Sequence, residues 1–208
     1  MLEFLIFIIA LLINLTIHEA SHAIVAFKLG DPTAKNAGRV SLNPVRHLDL
    51  IGSLVFLITQ QIGWGKPVPV NPANFRNPVK DNALTALAGP LSSFLLAFSM
   101  VFPWKYGVNV FPEIVLLLIQ YVFHISVFLG VFNLLPIPPL DGSKILGFFV
   151  PRKYYLSFDN FLEQGQKYFI VIILIDVFIL GNVFGFSILA FVLSFLAKNI
   201  EMLMFLGA

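Results

Sequence analysis

The sequence predicts an α-helical integral membrane protein with about five full crossings, one shorter membrane segment and small β-strands in the loops of one face. Composition is the first reason. Of 208 residues, 58% are hydrophobic and 12% charged, where a soluble domain carries about 25% charged residues. Mean hydropathy is +0.90. The second reason is the recurrence of apolar runs near the length that crosses hydrocarbon as a helix, about 20 residues. They lie at residues 2–27, 83–103, 111–135, 169–180 and 184–197, the last with an apolar extension to Phe205. The third is a run at residues 50–62, only 13 residues long, a length more typical of a segment that enters the membrane and returns.

The first run is too long for the core of a signal peptide, and no small-residue cleavage site follows it, so it reads as a retained span. The run at 169–180 is short unless it begins near Tyr168 and passes Gly181. Polar loops fill residues 28–49, 63–82 and 136–167. Within them, Ala37 to Leu42 and Lys66 to Val70 mix β-branched and polar residues, the pattern of short strands. They read equally as simple loop closures. Neither a repeat nor a low-complexity tract interrupts the chain. A net charge of +2 gives no reason to expect nucleic acid, and the absence of cysteine excludes disulfides, thiol nucleophiles and cysteine-bound metal centres.

The first span carries His18-Glu19-Ala20-Ser21-His22 near its C-terminal end. Residues four apart on a helix lie about 40° from each other around the axis. Two imidazoles at that spacing can bind one Zn²⁺, and the glutamate beside the first can act as base toward a water at the ion. Ionisable groups inside a span are costly and are functional candidates for that reason. Catalytic zinc typically has three protein ligands, so a third is needed, and it must be histidine or carboxylate. Asn133-Leu-Leu-Pro-Ile-Pro-Pro-Leu-Asp141-Gly142 directly follows the span at 111–135. Its prolines end regular helix and Gly142 permits a sharp turn. An aspartate there can reach a membrane site from its edge, although a turn aspartate is also an ordinary loop residue.

These two segments together resemble the site-2 protease family of intramembrane zinc metalloproteases. Gly38 to Asp49 and Gly65 to Pro72 resemble loops of the small bacterial branch, which lacks appended peptide-binding or nucleotide-binding domains. Ala88-Gly89-Pro90-Leu91 is similar to that family's Gly-Pro helix start. The likeness covers about residues 10–155. It implies His18, His22 and Asp141 as zinc ligands, Glu19 as the catalytic base, and cleavage of peptide bonds in or near the membrane-embedded segments of membrane-protein substrates. It also implies a multi-pass protein of a bacterial cell membrane, surrounded by the lipid bilayer. The chain departs from the pattern at Ser93, where many relatives have asparagine; the metal site is untouched by this. The expected organisation is one membrane domain over residues 1–208, with a catalytic core at about 1–150 and a C-terminal helical hairpin at about 166–206.

Topology constrains the site further. His18 and His22 lie near the C-terminal end of one span, and Asp141 lies just past the C-terminal end of another. Both spans must run in the same direction for the three to meet, so residues 50–62 must enter and return. The three polar loops then share one face. They hold Lys28, Lys35, Arg39, Arg46, Lys66, Arg76, Lys80, Lys144, Arg152, Lys153 and Lys167, 11 of the 13 basic residues. The positive-inside rule makes that face cytoplasmic, with the C-terminus on the same side.

An exposed strand edge at Lys66, Val68 and Val70 would suit β-addition of an unwound substrate, and Asn133 would hydrogen-bond near the site or cap its helix. His47 reads as loop packing and His124 as a helix–helix hydrogen-bond partner. Asp176 has no assignable role. Two other functions use the same residues. One is a membrane metalloprotease acting on juxtamembrane or soluble peptides at the cytoplasmic surface. The other is a metal-ion transporter with these side chains as its ion ligands.

Overall fold

The computed structural model describes residues 1–59 and 63–207. In chain order the helices are α1 (Leu2–Lys28), α2 (Thr33–Asn36), α3 (Leu50–Thr59), α4 (Pro78–Tyr106), α5 (Glu113–Leu134), α6 (Asp141–Leu146), α7 (Tyr155–Leu174), α8 (Asn182–Phe184) and α9 (Ile188–Leu206). Short 3-10 turns and a π-helical stretch at Ile175–Gly181 link them. Five segments among the described residues are long and apolar enough to cross a membrane: α1, α4, α5, the continuous run Arg152–Gly181, and α9.

The centre of the molecule is the packing of α1, α4 and α5 on one another, with α6 against α4 and α9 against α5. On α1 every fourth residue from Ile6 to Ala26 is buried: Ile6, Ala10, Asn14, His18, His22 and Ala26. Residues four apart form one ridge of a helix, and the alanines let neighbouring backbones approach, as small residues do at membrane helix interfaces. The ridge therefore delivers both histidines to the interior. A second cluster, formed by Ala97, Val101, Phe123, Val127, Val131 and Leu193, joins α4, α5 and α9. Large apolar side chains elsewhere, such as Leu95, Phe98 and Phe102 on α4, face outward, as lipid contact requires.

Residues 50–59 form a helix of ten residues, about 15 Å long and half of what a crossing needs. Its flanks meet. The Lys66 N–H donates to the His47 carbonyl at 2.8 Å, and Leu48 and Gly65 form an isolated antiparallel bridge. Trp64 packs so close to Gly52 that a β-carbon there would lie 2.2 Å from the Trp64 carbonyl oxygen. The two described flanks of the excursion therefore lie at one place; residues 60–62 lie outside the described residues.

Three expectations need correction. The strands at Ala37 to Leu42 and Lys66 to Val70 do not form: the described residues contain that single bridge and no strand. Pro67 and Pro69 lack the N–H groups that a ladder uses, and the carbonyls of Lys66 and Pro67 are taken by the Arg39 side chain instead. Gly89-Pro90 does not start a helix but lies inside α4, which begins at Pro78. Proline suits a first turn, where its missing donor costs nothing, and the Asn77 N–H is met by Asp81 at 2.9 Å. The fourth span extends back into the polar region expected as loop. Hydrophobicity marks only the part of a helix that lies in hydrocarbon, while backbone hydrogen bonding continues beyond it.

Asp176 also finds its place. Its carboxylate accepts from the Ile188 N–H at 2.9 Å, from Leu189 and from the Ser187 hydroxyl. It therefore satisfies donors at the start of α9, which a helix otherwise leaves unmet. His124 Nδ1 lies 2.8 Å from Glu201 Oε1, linking α5 to α9.

Candidate metal centre

His18, His22 and Asp141 meet at the junction of α1, α4 and α6. All three are at least 93% buried. Asp141 Oδ2 lies 3.3 Å from His18 Nε2 and 3.1 Å from His22 Nε2, and the three potential ligand atoms fall within 4.8 Å of one another. Tetrahedral zinc with ligand bonds of 2.0–2.2 Å would hold its donors about 3.3–3.6 Å apart.

The outer nitrogens set the chemistry of the inner ones. His22 Nδ1 lies 2.7 Å from the Thr85 carbonyl oxygen, which can only accept, so Nδ1 carries the proton. His18 Nδ1 lies 3.1 Å from Ser93 Oγ. That hydroxyl donates to the Gly89 carbonyl at 3.2 Å and so accepts from the imidazole. With both δ positions protonated, each neutral ring presents its ε lone pair inward, and the Asp141 oxygen brings another. Three converging lone pairs call for a positive charge at their centre. This is the pattern of metal-ligating histidines oriented by a second hydrogen bond.

There is room for an ion because α4 presents a glycine. A β-carbon on Gly89 would sit 2.3 Å from His22 Nε2 and 2.6 Å from His18 Nε2. The space in front of the imidazoles exists only while residue 89 has no side chain. Asp141 reaches it by a sharp return of the chain. At Gly142 a β-carbon would lie 2.2 Å from the Leu134 carbonyl oxygen, so α6 starts hard against the end of α5. The Asp141 carboxylate is buried, and a cation among the three side chains would offset the cost of that burial. Lys144 adds a weaker contact, 3.7 Å from Oδ1.

One turn before His18, Asn14 ties α1 to α5. Its amide donates to the carbonyls of Ala10 and Val122 at 2.9 and 3.3 Å and accepts from the Ser126 hydroxyl. Sequence reasoning passed over Asn14, Ser126 and Thr85, and it set the departure at Ser93 apart from the metal site, which the contact of that hydroxyl with His18 corrects. An amide four residues before His18 in an apolar run was a usable signal for Asn14; nothing local announced Thr85.

Glu19 is tied to the loop at residues 65–72. Its Oε2 accepts from the Val68 N–H at 3.2 Å. Of the expected substrate-binding residues, Lys66 gives its N–H to His47 and Val68 gives its own to Glu19. The neighbouring Asn71 N–H goes to Asp31 at 2.7 Å. Asn133 donates to the Leu129 carbonyl of its own helix at 3.0 Å. Among these, Val70 alone keeps an N–H that meets no acceptor among the described residues. His47 is fully buried in the loop, with Nε2 2.8 Å from the Ser41 carbonyl oxygen.

The model of peptidase family M50 matches residues 105–175, a stretch that contains Asp141. YwhC of Bacillus subtilis, named as a candidate zinc metalloprotease, is 37% identical over 183 residues, covering 84% of this chain and 81% of that one. MJ0611 of Methanocaldococcus jannaschii, named likewise, is 32% identical and covers 70% of this chain and 71% of its own. Rip2 of Mycolicibacterium smegmatis is 30% identical over 69% of this chain and 56% of its own. No solved structure matches. Since the likeness to YwhC extends over four-fifths of both proteins, the chain belongs to peptidase family M50, the site-2 protease family.

Proposed function

We propose that this protein is an intramembrane zinc endopeptidase that hydrolyses peptide bonds in or near the membrane-spanning segments of other membrane proteins. Family membership makes it a zinc metalloprotease; the depth of the site and the role of Glu19 are the further steps. The observation that carries the reading is the convergence of two ε lone pairs and a carboxylate oxygen inside a membrane helix bundle, with Glu19 adjacent.

Depth supports an intramembrane site. The α1 helix of 27 residues is about 40 Å long against about 30 Å of hydrocarbon. His22 and His18 lie six and ten residues before its end, or about 9 and 15 Å. If α1 extends equally on both sides, the centre lies a few ångströms below the membrane boundary. The positive-inside rule favours the cytoplasmic side for that boundary, since the polar loops carry most of the basic residues. The same rule favours a C-terminus on that side if the segment at residues 50–59 does not cross and the five candidate spans do.

Zinc held by His18, His22 and Asp141 would supply Lewis acidity, polarising the scissile carbonyl and making water nucleophilic near neutral pH. Ser93 and the Thr85 carbonyl hold the imidazoles in the ligating tautomer. Glu19 takes the proton from the attacking water and returns it to the leaving amine. A transmembrane substrate must unwind before attack, because helical hydrogen bonds hide its peptide groups. The segment at residues 65–72 touches Glu19 through the Val68 N–H, but three of its donors are engaged within the chain. Val70 is therefore the donor through which a substrate strand would pair there.

The test combines metal content with cleavage of single-span reporter substrates by the purified protein. Wild type should hold about one zinc per chain; His22→Ala and Asp141→Ala should lose it. Glu19→Gln should keep zinc and lose about 10²–10⁴ in rate. Wild-type cleavage by Glu19→Gln would remove Glu19 from the mechanism.

A further inference from the structure

Arg39 is 4% exposed and lies in the loop between α2 and α3. A guanidinium this buried is costly unless its donors meet fixed acceptors; Nε meets none among the described residues, and the two Nη groups do. Nη1 donates to the Pro67 carbonyl at 3.0 Å, and Nη2 donates to the Lys66 carbonyl. Both lie in the segment whose prolines prevent sheet pairing, so this side chain supplies the anchorage that a strand partner would otherwise give. His47 completes the mount: its Nδ1 lies 3.4 Å from Arg39 Nη2, and its carbonyl accepts from the Lys66 N–H at 2.8 Å.

The Pro67 carbonyl and the Val68 N–H belong to one peptide group. Arg39 holds its oxygen and Glu19 accepts from its nitrogen. A planar peptide transmits orientation rigidly. A cation on the carbonyl also polarises the group and strengthens its N–H as a donor, by the cooperative effect of linked hydrogen bonds. We propose that Arg39 is a positioning residue for Glu19, acting through the peptide group that joins Pro67 to Val68. It aims one carboxylate oxygen at the loop and so leaves the other to handle the proton. This rests on the reading of Glu19 as the base.

The experiment is a double-mutant cycle on the full chain in lipid or detergent, reading zinc content, kcat and KM on a short fluorogenic peptide. Arg39→Gln removes the cation; Val68→Pro removes the N–H, between neighbours that are already prolines. Each should lower kcat about tenfold to a hundredfold, part of what the base itself contributes, with KM and zinc content little changed. Their combination should be no worse than the more damaging single change, because both cut the same connection. Arg39→Lys, which keeps the charge and a donor, should recover part of the loss, and it replaces Arg39→Gln in the cycle if that variant does not fold. Multiplying effects, a change confined to KM, loss of zinc, or an undiminished kcat in Arg39→Gln would each overturn the proposal. Glu19→Gln, run alongside, separates the two ideas. If it is inactive while the cycle is multiplicative, only the role of Arg39 fails; if it is fully active, the base assignment fails first.

Discussion

Gly89 of α4 faces His22 of α1 so closely that a β-carbon at position 89 would lie 2.3 Å from the imidazole Nε2. Backbone stands where any other residue would place a methyl group, and that methyl would occupy the ground of an ion. Glycine inside a helix costs about 0.5–1 kcal/mol relative to alanine, so Gly89→Ala should favour the helix locally while blocking the centre. The expected result is a folded protein with little or no zinc and no proteolysis, read by metal analysis and thermal melting. Full zinc occupancy in Gly89→Ala would mean that the imidazoles can back away.

Ser93 should govern how tightly zinc is held. Its hydroxyl accepts from His18 Nδ1 and donates to the Gly89 carbonyl, and loss of such an outer partner typically costs 10–100-fold in metal affinity or activity. Ser93→Ala should therefore lose zinc to a competing chelator at about tenfold lower chelator concentration or less, with an unchanged melting profile when metal is saturating. Equal affinity in Ser93→Ala would show that the ring is oriented by packing alone.

The returning excursion at residues 50–59 predicts that its two flanks share a face. Single cysteines at Arg46, Arg76 and Arg152, all exposed, should be labelled by an impermeant thiol reagent from the cytoplasmic side only. The chain has no cysteine of its own to confuse the readout. Labelling of the Arg76 position from outside would contradict the contact between His47 and Lys66 and would separate His18 from Asp141.

Asp31, just beyond α1, ties the loops of that face together. It is buried, and its carboxylate accepts from the Thr33 N–H at 3.0 Å, the Asn71 N–H at 2.7 Å and the Asn74 amide at 2.7 Å. Burial opposes its charge, but these bonds and the Thr33 hydroxyl outweigh it and hold the carboxyl below its ordinary value of 3.8. A folded value below the unfolded one means that this stabilisation is fully present above about pH 4. It is lost as the pH falls through the lower, folded value. Asp31→Asn should make limited proteolysis of residues 66–74 faster at pH 7, with a destabilisation of about 1–3 kcal/mol, and should flatten the acid dependence seen in wild type. An unchanged acid dependence would assign that transition to other carboxylates.

Much of this protein was written in local pattern. Apolar runs located the five spans, because twenty residues of helix must match the thickness of hydrocarbon wherever they occur. The spacing of His18 and His22 placed two imidazoles on one ridge before any fold was known, because helical periodicity is a property of the chain itself. The shortness of the run at 50–62 pointed to a return, since a helix of that length cannot cross. Contacts between distant segments obey no such period. Whether Asp141 reaches the histidines depends on α5 running parallel to α1 and on Gly142 folding α6 against the end of α5. The protonation pattern of the imidazoles depends on Ser93 and Thr85, 75 and 63 residues away in sequence. The segment with Pro67 and Pro69 looked like an edge strand, because β-branched residues favour strands. The tertiary structure instead gave its carbonyls to Arg39 and the Val68 N–H to Glu19, since a backbone short of donors bonds to whatever side chains the fold brings near.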